Sequence, residues 1–220
     1  EGLIKPFDVN KDLYYTLDIE DGRVREIQIN PEEPGIQNLS LNIYIIEREL
    51  LISQISAAFV RGYVYFERDI LAPQLDKLNV RGYKFGGYIA RISSIKSYFD
   101  ENMKLLDEEN LDALFGGNHI YTKIRDDNPT RYIKGAKAKN IMAADGCIIE
   151  GEVENSVLFR GVRVGKGAKV KNCVLMQDTV IEPGVNVEYI ISDKNVTITA
   201  DKEIKGTDSF PVYVAKYQVV

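Results

Sequence analysis

The sequence has no Trp, a single His (His119), two Cys (Cys147 and Cys173) and three Met in 220 residues. One histidine and two cysteines cannot build a multi-histidine metal centre or a disulfide framework. The cysteines read as small buried core residues of a reduced, intracellular protein. No apolar run approaches the ~20 residues needed to cross a bilayer, so a membrane partner is not expected. No basic arm or stripe stands out against a net charge of −5, which argues against a nucleic-acid partner. No signal peptide is visible, and the opening residue is Glu1, as in a fragment or processed chain. What is present is 45% hydrophobic and 28% charged residues. That is enough for a sizeable core in one or two domains.

The most organised stretch is Cys147 to Ile198. It reads as short β triplets, among them Ser156-Val157-Leu158, Val162-Arg163-Val164, Ala168-Lys169-Val170, Cys173-Val174-Leu175 and Thr179-Val180-Ile181. Their centres fall mostly about six residues apart, the hexapeptide period of a parallel β-helix. No triplet can bury its apolar side alone, so stacked coils must share one aliphatic column. Val164, Val170, Ala168 and Val174 are expected to point inward, and Arg163, Lys166, Lys169 and Lys171 outward. Scaffold is the default role for every residue in the repeat.

Residues 1–117 show no repeat. Tyr14 to Ile19 and Val24 to Ile29 flank Asp21-Gly22, a hairpin signal. Pro31 to Gly35 is a breaker cluster. Ile43 to Ile46 reads as a buried strand, Glu47 to Ser56 as a helix, and Asp69 to Leu78 as a helix kinked by Pro73. Tyr83 to Phe85 and Tyr88 to Ile92 read as strands. Ser94 is a suitable cap for a helix through Leu106, and Asp107 for a second one ending near Gly116-Gly117. Residues 118–146 read as a turn-rich connection. The domain division expected is therefore 1–117 and 118–220.

Several segments together resemble the ADP-glucose pyrophosphorylase (glucose-1-phosphate adenylyltransferase) family. They are Ser40 to Tyr44, Phe66 to Ile70, Gly87 to Arg91, Ser94 to Tyr98 with Asn102-Met103, Ile120 to Lys123, and the hexapeptide repeat. Within the family the chain looks most similar to the GlgD-type subunit, whose role in glycogen synthesis is regulatory or structural. The resemblance implies the C-terminal portion of a Rossmann-like α/β nucleotidyltransferase domain. An all-β, single-stranded, left-handed parallel β-helix should follow, although crossover connections are normally right-handed. It also implies that the chain begins part way through the first domain, without the glycine-rich nucleotide loop.

The departures from the family pattern carry the functional argument. Where catalytic members have a Glu-Glu-Lys-Pro run that grips glucose 1-phosphate, this chain has Gln28, Ile29, Asn30 and Pro31. Where they have Ser-Met-Gly, it has Ser40, Leu41 and Asn42. Where they have Gly-Tyr-Trp-Lys-Asp-Val-Gly-Thr, it has Gly87 to Ser94, with Arg91 at the Asp expected to hold Mg²⁺. A cation at that place repels a metal, and phosphoryl transfer depends on metal and positive charge around the phosphates. Gln28, Asn30, Ser40, Asn42 and Arg91 are thus degenerate substrate positions, with no catalytic or metal-binding residue expected. Mg²⁺ is implied for a catalytic partner only.

The expectation is a cytoplasmic regulatory or structural subunit of glucose-1-phosphate adenylyltransferase. It would assemble with the catalytic subunit or with itself, and be inactive alone. An interaction scaffold, or a subunit of another nucleotide-sugar pyrophosphorylase, is the alternative. A hexapeptide acyltransferase is disfavoured because its general base is usually a His near the coils, and His119 lies outside the repeat. A β-helical carbonic anhydrase is excluded by the histidine count. For a sugar-phosphate effector, Arg125, Arg131 and Lys134 in the connection rank above Lys166, Lys169 and Lys171, which read better as solvated coil lysines.

Overall fold

The structure, a computed structural model, describes residues 2–3, 14–30, 36–117, 120–121 and 125–220. His119 and the Pro31 to Gly35 cluster lie outside them. The chain separates into two compact units, 1–86 and 87–220.

The first unit is built on a four-stranded antiparallel sheet of β1 (Gly2–Leu3), β2 (Tyr15–Glu20), β3 (Arg23–Ile29) and β4 (Ile36–Leu39), in the order β1-β4-β2-β3. The β2–β3 hairpin turns at Asp21 and Gly22, both with positive φ (50° and 75°), as a type I′ turn requires. Tyr15, Thr16 and Val24 are buried. Helix α1 (Arg48–Arg61) ends at Gly62, whose φ of 69° lets its N–H reach back to the Phe59 carbonyl. Next come a wide helical turn over Phe66–Leu71 and a tight one over Ala72–Gln74. The single helix expected over 69–78 is thus two short pieces of different pitch. Pro73, which has no N–H to donate, sits in the first turn of the second, where none is needed.

Ile43 to Ile46 is not a buried strand. The run is unpaired, and Ile43 and Ile45 are exposed. Nor do Tyr83 to Phe85 or Tyr88 to Ile92 form strands. Their aromatic and β-branched residues satisfy β propensity, but propensity yields a strand only where a neighbour offers a ladder.

In the second unit, α2 (Ile95–Lys104) and α3 (Glu108–Phe115) begin where their caps predict. Ser94 Oγ accepts from Ser97 N–H, and Ser97 Oγ accepts from Ser94 N–H, a reciprocal box. Asp107 accepts from the N–H groups of Glu109 and Asn110. The chain then winds into a parallel β-helix of the left-handed hexapeptide type, about four turns between 131 and 205. One face stacks Arg131–Tyr132, Ile148–Ile149, Arg163–Val164, Val180–Ile181 and Thr197–Ile198 in parallel register. A second stacks Lys137, Glu152, Lys169, Asn186 and Glu203 in one column. A third stacks Met142, Val157, Val174, Ile191 and Tyr213. The first coil therefore starts at Arg131, inside the stretch expected to be a connection. Its strand 137–143 carries lysines and an Asn that mask the hexapeptide pattern.

Between the faces the chain turns through left-handed residues. One corner column is Gly146, Gly161, Asp178, Asn195 and Tyr217, another Asn140, Asn155, Asn172 and Tyr189. Gly, Asn and Asp tolerate this conformation best. At the remaining corner one coil is short: four positions separate Ile149 from Val153, against six from Val164 to Val170. Gly151 makes that short cut possible, because a Cβ there would lie 2.4 Å from the Ala168 carbonyl oxygen.

Val164, Val170 and Ala168 point into the coil and join Ile149, Leu175, Ile181 and Ile198 in one aliphatic column. Val174 corrects the expectation. It is fully buried, but outside the coil, where it and Ile191 lie under Phe99 of α2. Residues 87–117 accordingly belong with the β-helix, and the division falls at 86/87 rather than 117/118.

Candidate functional site

Four of the five degenerate positions lie in the first unit, near the start of β2. Gln28 sits on β3 opposite Thr16. Asn30 follows β3 with a φ of 46°. Its side-chain oxygen accepts from the Tyr14 N–H at 2.9 Å, and its own N–H donates to the Tyr14 carbonyl at 3.0 Å. The Ser40 N–H donates to the Tyr15 carbonyl at 2.9 Å, and Ser40 Oγ lies 3.2 Å from Asn42 Oδ1. Ser40 Oγ also accepts from the Asn42 N–H at 3.3 Å, and Asn42 too has a left-handed φ, 57°. Asn30, Ser40 and Asn42 are therefore all engaged in closing local turns.

Beside them stands a polar cluster that sequence reasoning did not single out. The Tyr44 hydroxyl donates to the buried Glu67 carboxylate, and the Tyr44 ring meets Phe66 edge-on at 5.1 Å. Burial, then the bond to Glu67, holds the Tyr44 phenol well above its ordinary range. Burial, then the charge of Glu67, raises Tyr15 as well. Arg68 turns to Asp69, 2.6 Å from its carboxylate, and lies over the Tyr65 ring. That bond, followed by the N–H groups of Tyr65 and Val64, keeps Asp69 well below the usual carboxylate range. Phe66-Glu67-Arg68-Asp69 supported the family resemblance, but nothing in its spacing set Glu67 apart as the buried member.

Arg91 belongs to the second unit, in the run without regular structure that precedes Ser94, and is exposed. Among the described residues, no three side chains of His, Cys, Asp or Glu are grouped so as to hold a metal ion. Arg91 places a guanidinium in that run where the resemblance leads one to expect a carboxylate.

The effector candidates do not converge either. Arg125 is held by Asp127 at 3.1 Å, and Asp127 also faces Arg160 at 3.9 Å. Arg131 occupies the outer column that continues through Ile148 to Arg163, and Lys134 is exposed at the following corner. Lys169 and Lys171 are members of two charge ladders. One runs Lys137, Glu152, Lys169, Asn186, Glu203, the other Lys139, Glu154, Lys171, Glu188, Lys205. Lys137 reaches Glu152 at 2.6 Å and Lys139 reaches Glu154 at 2.9 Å. The lysine bonds hold both glutamates below their ordinary pKa. Opposite charges in register favour one another across neighbouring strands, so these coil lysines serve the sheet. Lys166, at a corner, stands outside both ladders and is exposed.

Both cysteines are free and buried. The Cys173 thiol is pushed up to about 12 by burial, which removes the thiolate that reactivity would need.

Comparison with known proteins gives four consistent results. Residues 124–210 match the family model described as GlmU-like, C-terminal hexapeptide. The chain is 37% identical over 195 residues to the glycogen biosynthesis protein GlgD of Bacillus subtilis (strain 168), covering 88% of this chain and 57% of that protein. It is 33% identical over 173 residues to glucose-1-phosphate adenylyltransferase of Clostridium perfringens (strain 13 / Type A), covering 74% and 42%. It is 32% identical over 204 residues to that of Clostridioides difficile (strain 630), covering 90% and 53%. The chain thus spans about half the length of the curated relatives it matches. With a hexapeptide β-helix preceded by an α/β part, and relatives of both kinds aligned across most of it, the chain belongs to the family of glucose-1-phosphate adenylyltransferases and GlgD-type glycogen biosynthesis proteins.

Proposed function

We propose that this chain is part of a GlgD-type subunit that acts in glycogen synthesis, in the cytoplasm, as the regulatory or structural partner of a catalytic glucose-1-phosphate adenylyltransferase subunit. The observation that carries this reading is the use made of Asn30, Ser40 and Asn42. In the family resemblance, Asn30 falls in the run that grips glucose 1-phosphate, and Ser40 and Asn42 stand in the Ser-Met-Gly run, whose Gly leaves room for the sugar. Here Asn30 holds the Tyr14 backbone, and Ser40 and Asn42 hold each other. The nearby carboxylate of Glu67, on Tyr44, adds negative charge where a phosphate would need positive charge. A rigid β-helix whose sheet faces are already satisfied suits a role in assembly, and Mg²⁺ belongs in this reading to the catalytic partner.

The test is co-expression of the full-length protein with the catalytic subunit, followed by kinetics of the purified complex against the catalytic subunit alone. A stable complex with raised kcat or altered effector response is expected. This chain by itself should give no ADP-glucose from ATP, glucose 1-phosphate and Mg²⁺. Turnover by the chain alone, well above a no-enzyme control, overturns the inactive-subunit reading. Failure to co-purify at micromolar concentration, with unchanged kinetics on mixing, would leave the free-standing scaffold.

A further inference from the structure

Of the corner columns, one is occupied by the same residue in three successive coils: Asn140, Asn155 and Asn172, with φ of 49°, 45° and 51°. Backbone conformation does not select asparagine there, because Gly and Asp serve at the equivalent places of another corner, at Gly146, Gly161 and Asp178. Asparagine adds a side-chain amide. The Asn140 amide nitrogen donates to Asn155 Oδ1 at 2.9 Å, and that of Asn172 reaches Glu188 at 3.5 Å. Among the described residues, the Asn155 amide nitrogen and the side-chain oxygens of Asn140 and Asn172 keep hydrogen-bonding capacity beyond these bonds.

The amides form one wall of a recess of about 440 Å³, whose other wall is Met103, Leu106 and Asp107 at the junction of α2 and α3. The recess is shallow and open to solvent. Asp107 caps α3 through Oδ1 alone, and its second oxygen is available to accept. The lining therefore offers amide donors and acceptors, one carboxylate oxygen and an aliphatic patch. It contains no cation.

We propose that this recess binds an uncharged oligosaccharide. Sugar hydroxyls donate and accept together, as the amide column and Asp107 require, and the C–H face of a pyranose fits against Met103 and Leu106. A phosphorylated ligand would face Asp107 without a counter-charge. Successive asparagines are one strand spacing apart, ~4.8 Å, a separation comparable to the length of one sugar ring, so neighbouring residues of a chain can be met in turn. The choice of an α-1,4-glucan among oligosaccharides rests on the glycogen-synthesis reading above. The polyol site itself rests on the lining alone.

The test is affinity electrophoresis of the full chain in gels containing glycogen, with maltoheptaose as soluble competitor. Retardation that maltoheptaose reverses is expected. Asn155→Gly keeps the left-handed corner while removing the amide. Asp107→Asn keeps the helix cap while removing the carboxylate. Each should weaken binding about tenfold, the usual worth of one well-made hydrogen bond in a site. Unchanged retardation in both variants, competition by glucose 1-phosphate but not by maltoheptaose, or no retardation by any glucan overturns the proposal. Retardation by a soluble β-1,4-glucan alone supports the oligosaccharide site and separates it from glycogen. No catalytic subunit is present in the assay, so its outcome is independent of the co-purification result.

Discussion

Phe99→Ala is the most informative single change in the second unit. Phe99 is 2% exposed on the buried face of α2 and rests on Val174 and Ile191, both fully buried on the outside of the coil. Tyr98, Met103 and Tyr189 close the patch, with the Phe99 and Tyr189 rings 6.1 Å apart. Truncation removes a whole phenyl ring from this patch, and Phe-to-Ala changes in cores cost ~3–5 kcal/mol. The coil has its own continuous aliphatic column, so the loss should appear first as release of the helix. Hydrogen exchange resolved by segment is the fitting assay. Amides of 95–104 should lose most of their protection, while those of 163–191 keep theirs. Because α2 and α3 frame the asparagine recess, glucan retardation should fall in the same variant. Unchanged protection of α2, with a stability loss below ~1 kcal/mol in denaturant, would refute the assignment of Val174 and Ile191 to an outer face sealed by this helix.

Val170→Asp should cost several kcal/mol, since it puts an unpaired carboxylate into the aliphatic column. Lys169→Asp should lower thermal stability far less, through a like charge opposite Glu152 on an exposed face, and equal losses in the two variants would show the facing to be reversed. Glu152 and Glu154 have folded-state pKa values below the ordinary 4.5 because Lys137 and Lys139 bind them. Their contribution is therefore complete above that value and is lost as pH falls through it toward the lowered values. A Lys137→Met, Lys139→Met double variant should show a shallower fall of Tm in acid than the parent chain, and identical slopes would remove the ladder from the account.

The sequence made the second unit far more legible than the first. Hexapeptide spacing, with small or aliphatic residues at fixed offsets, specifies a coil because each strand repeats the same inward demand. The capping residues Ser94 and Asp107 located both helix starts for a similarly local reason. Burial alone, however, does not say what covers a residue. Val174 is as apolar as Val170, and only the position of Phe99 tells that it faces outward. The first coil was hidden because Lys137, Lys139 and Asn140 answer to charge ladders and corners rather than to the aliphatic column. In the first unit, strand propensity over Ile43 to Ile46 had no ladder to join, so the prediction failed where strand identity depends on a distant neighbour. The Tyr44–Glu67 bond spans 23 positions of chain, and no local pattern announces such a pair.

The same distinction separates two kinds of change at the degenerate positions. Replacing an exposed side chain can leave its backbone untouched, but Asn30 and Asn42 are part of the backbone's own support. Both hold left-handed φ values, 46° and 57°, a conformation that costs most non-glycine residues roughly 1 kcal/mol or more. Asn tolerates it better because its short side chain bonds locally, as Asn30 does with the Tyr14 N–H. A lysine at Asn30 would have to adopt that strained corner and would remove the Oδ1 acceptor of the Tyr14 N–H, so a cation placed there by one substitution is expected to loosen the start of β2. Tyr15 and Thr16, in the same strand start, are buried, and Ser40 N–H is tied to Tyr15. The side chains of Asn30 and Ser40 and the sheet's packing are therefore coupled. Substitution of Asn30 or Asn42 is therefore expected to cost stability whether or not a substrate is bound.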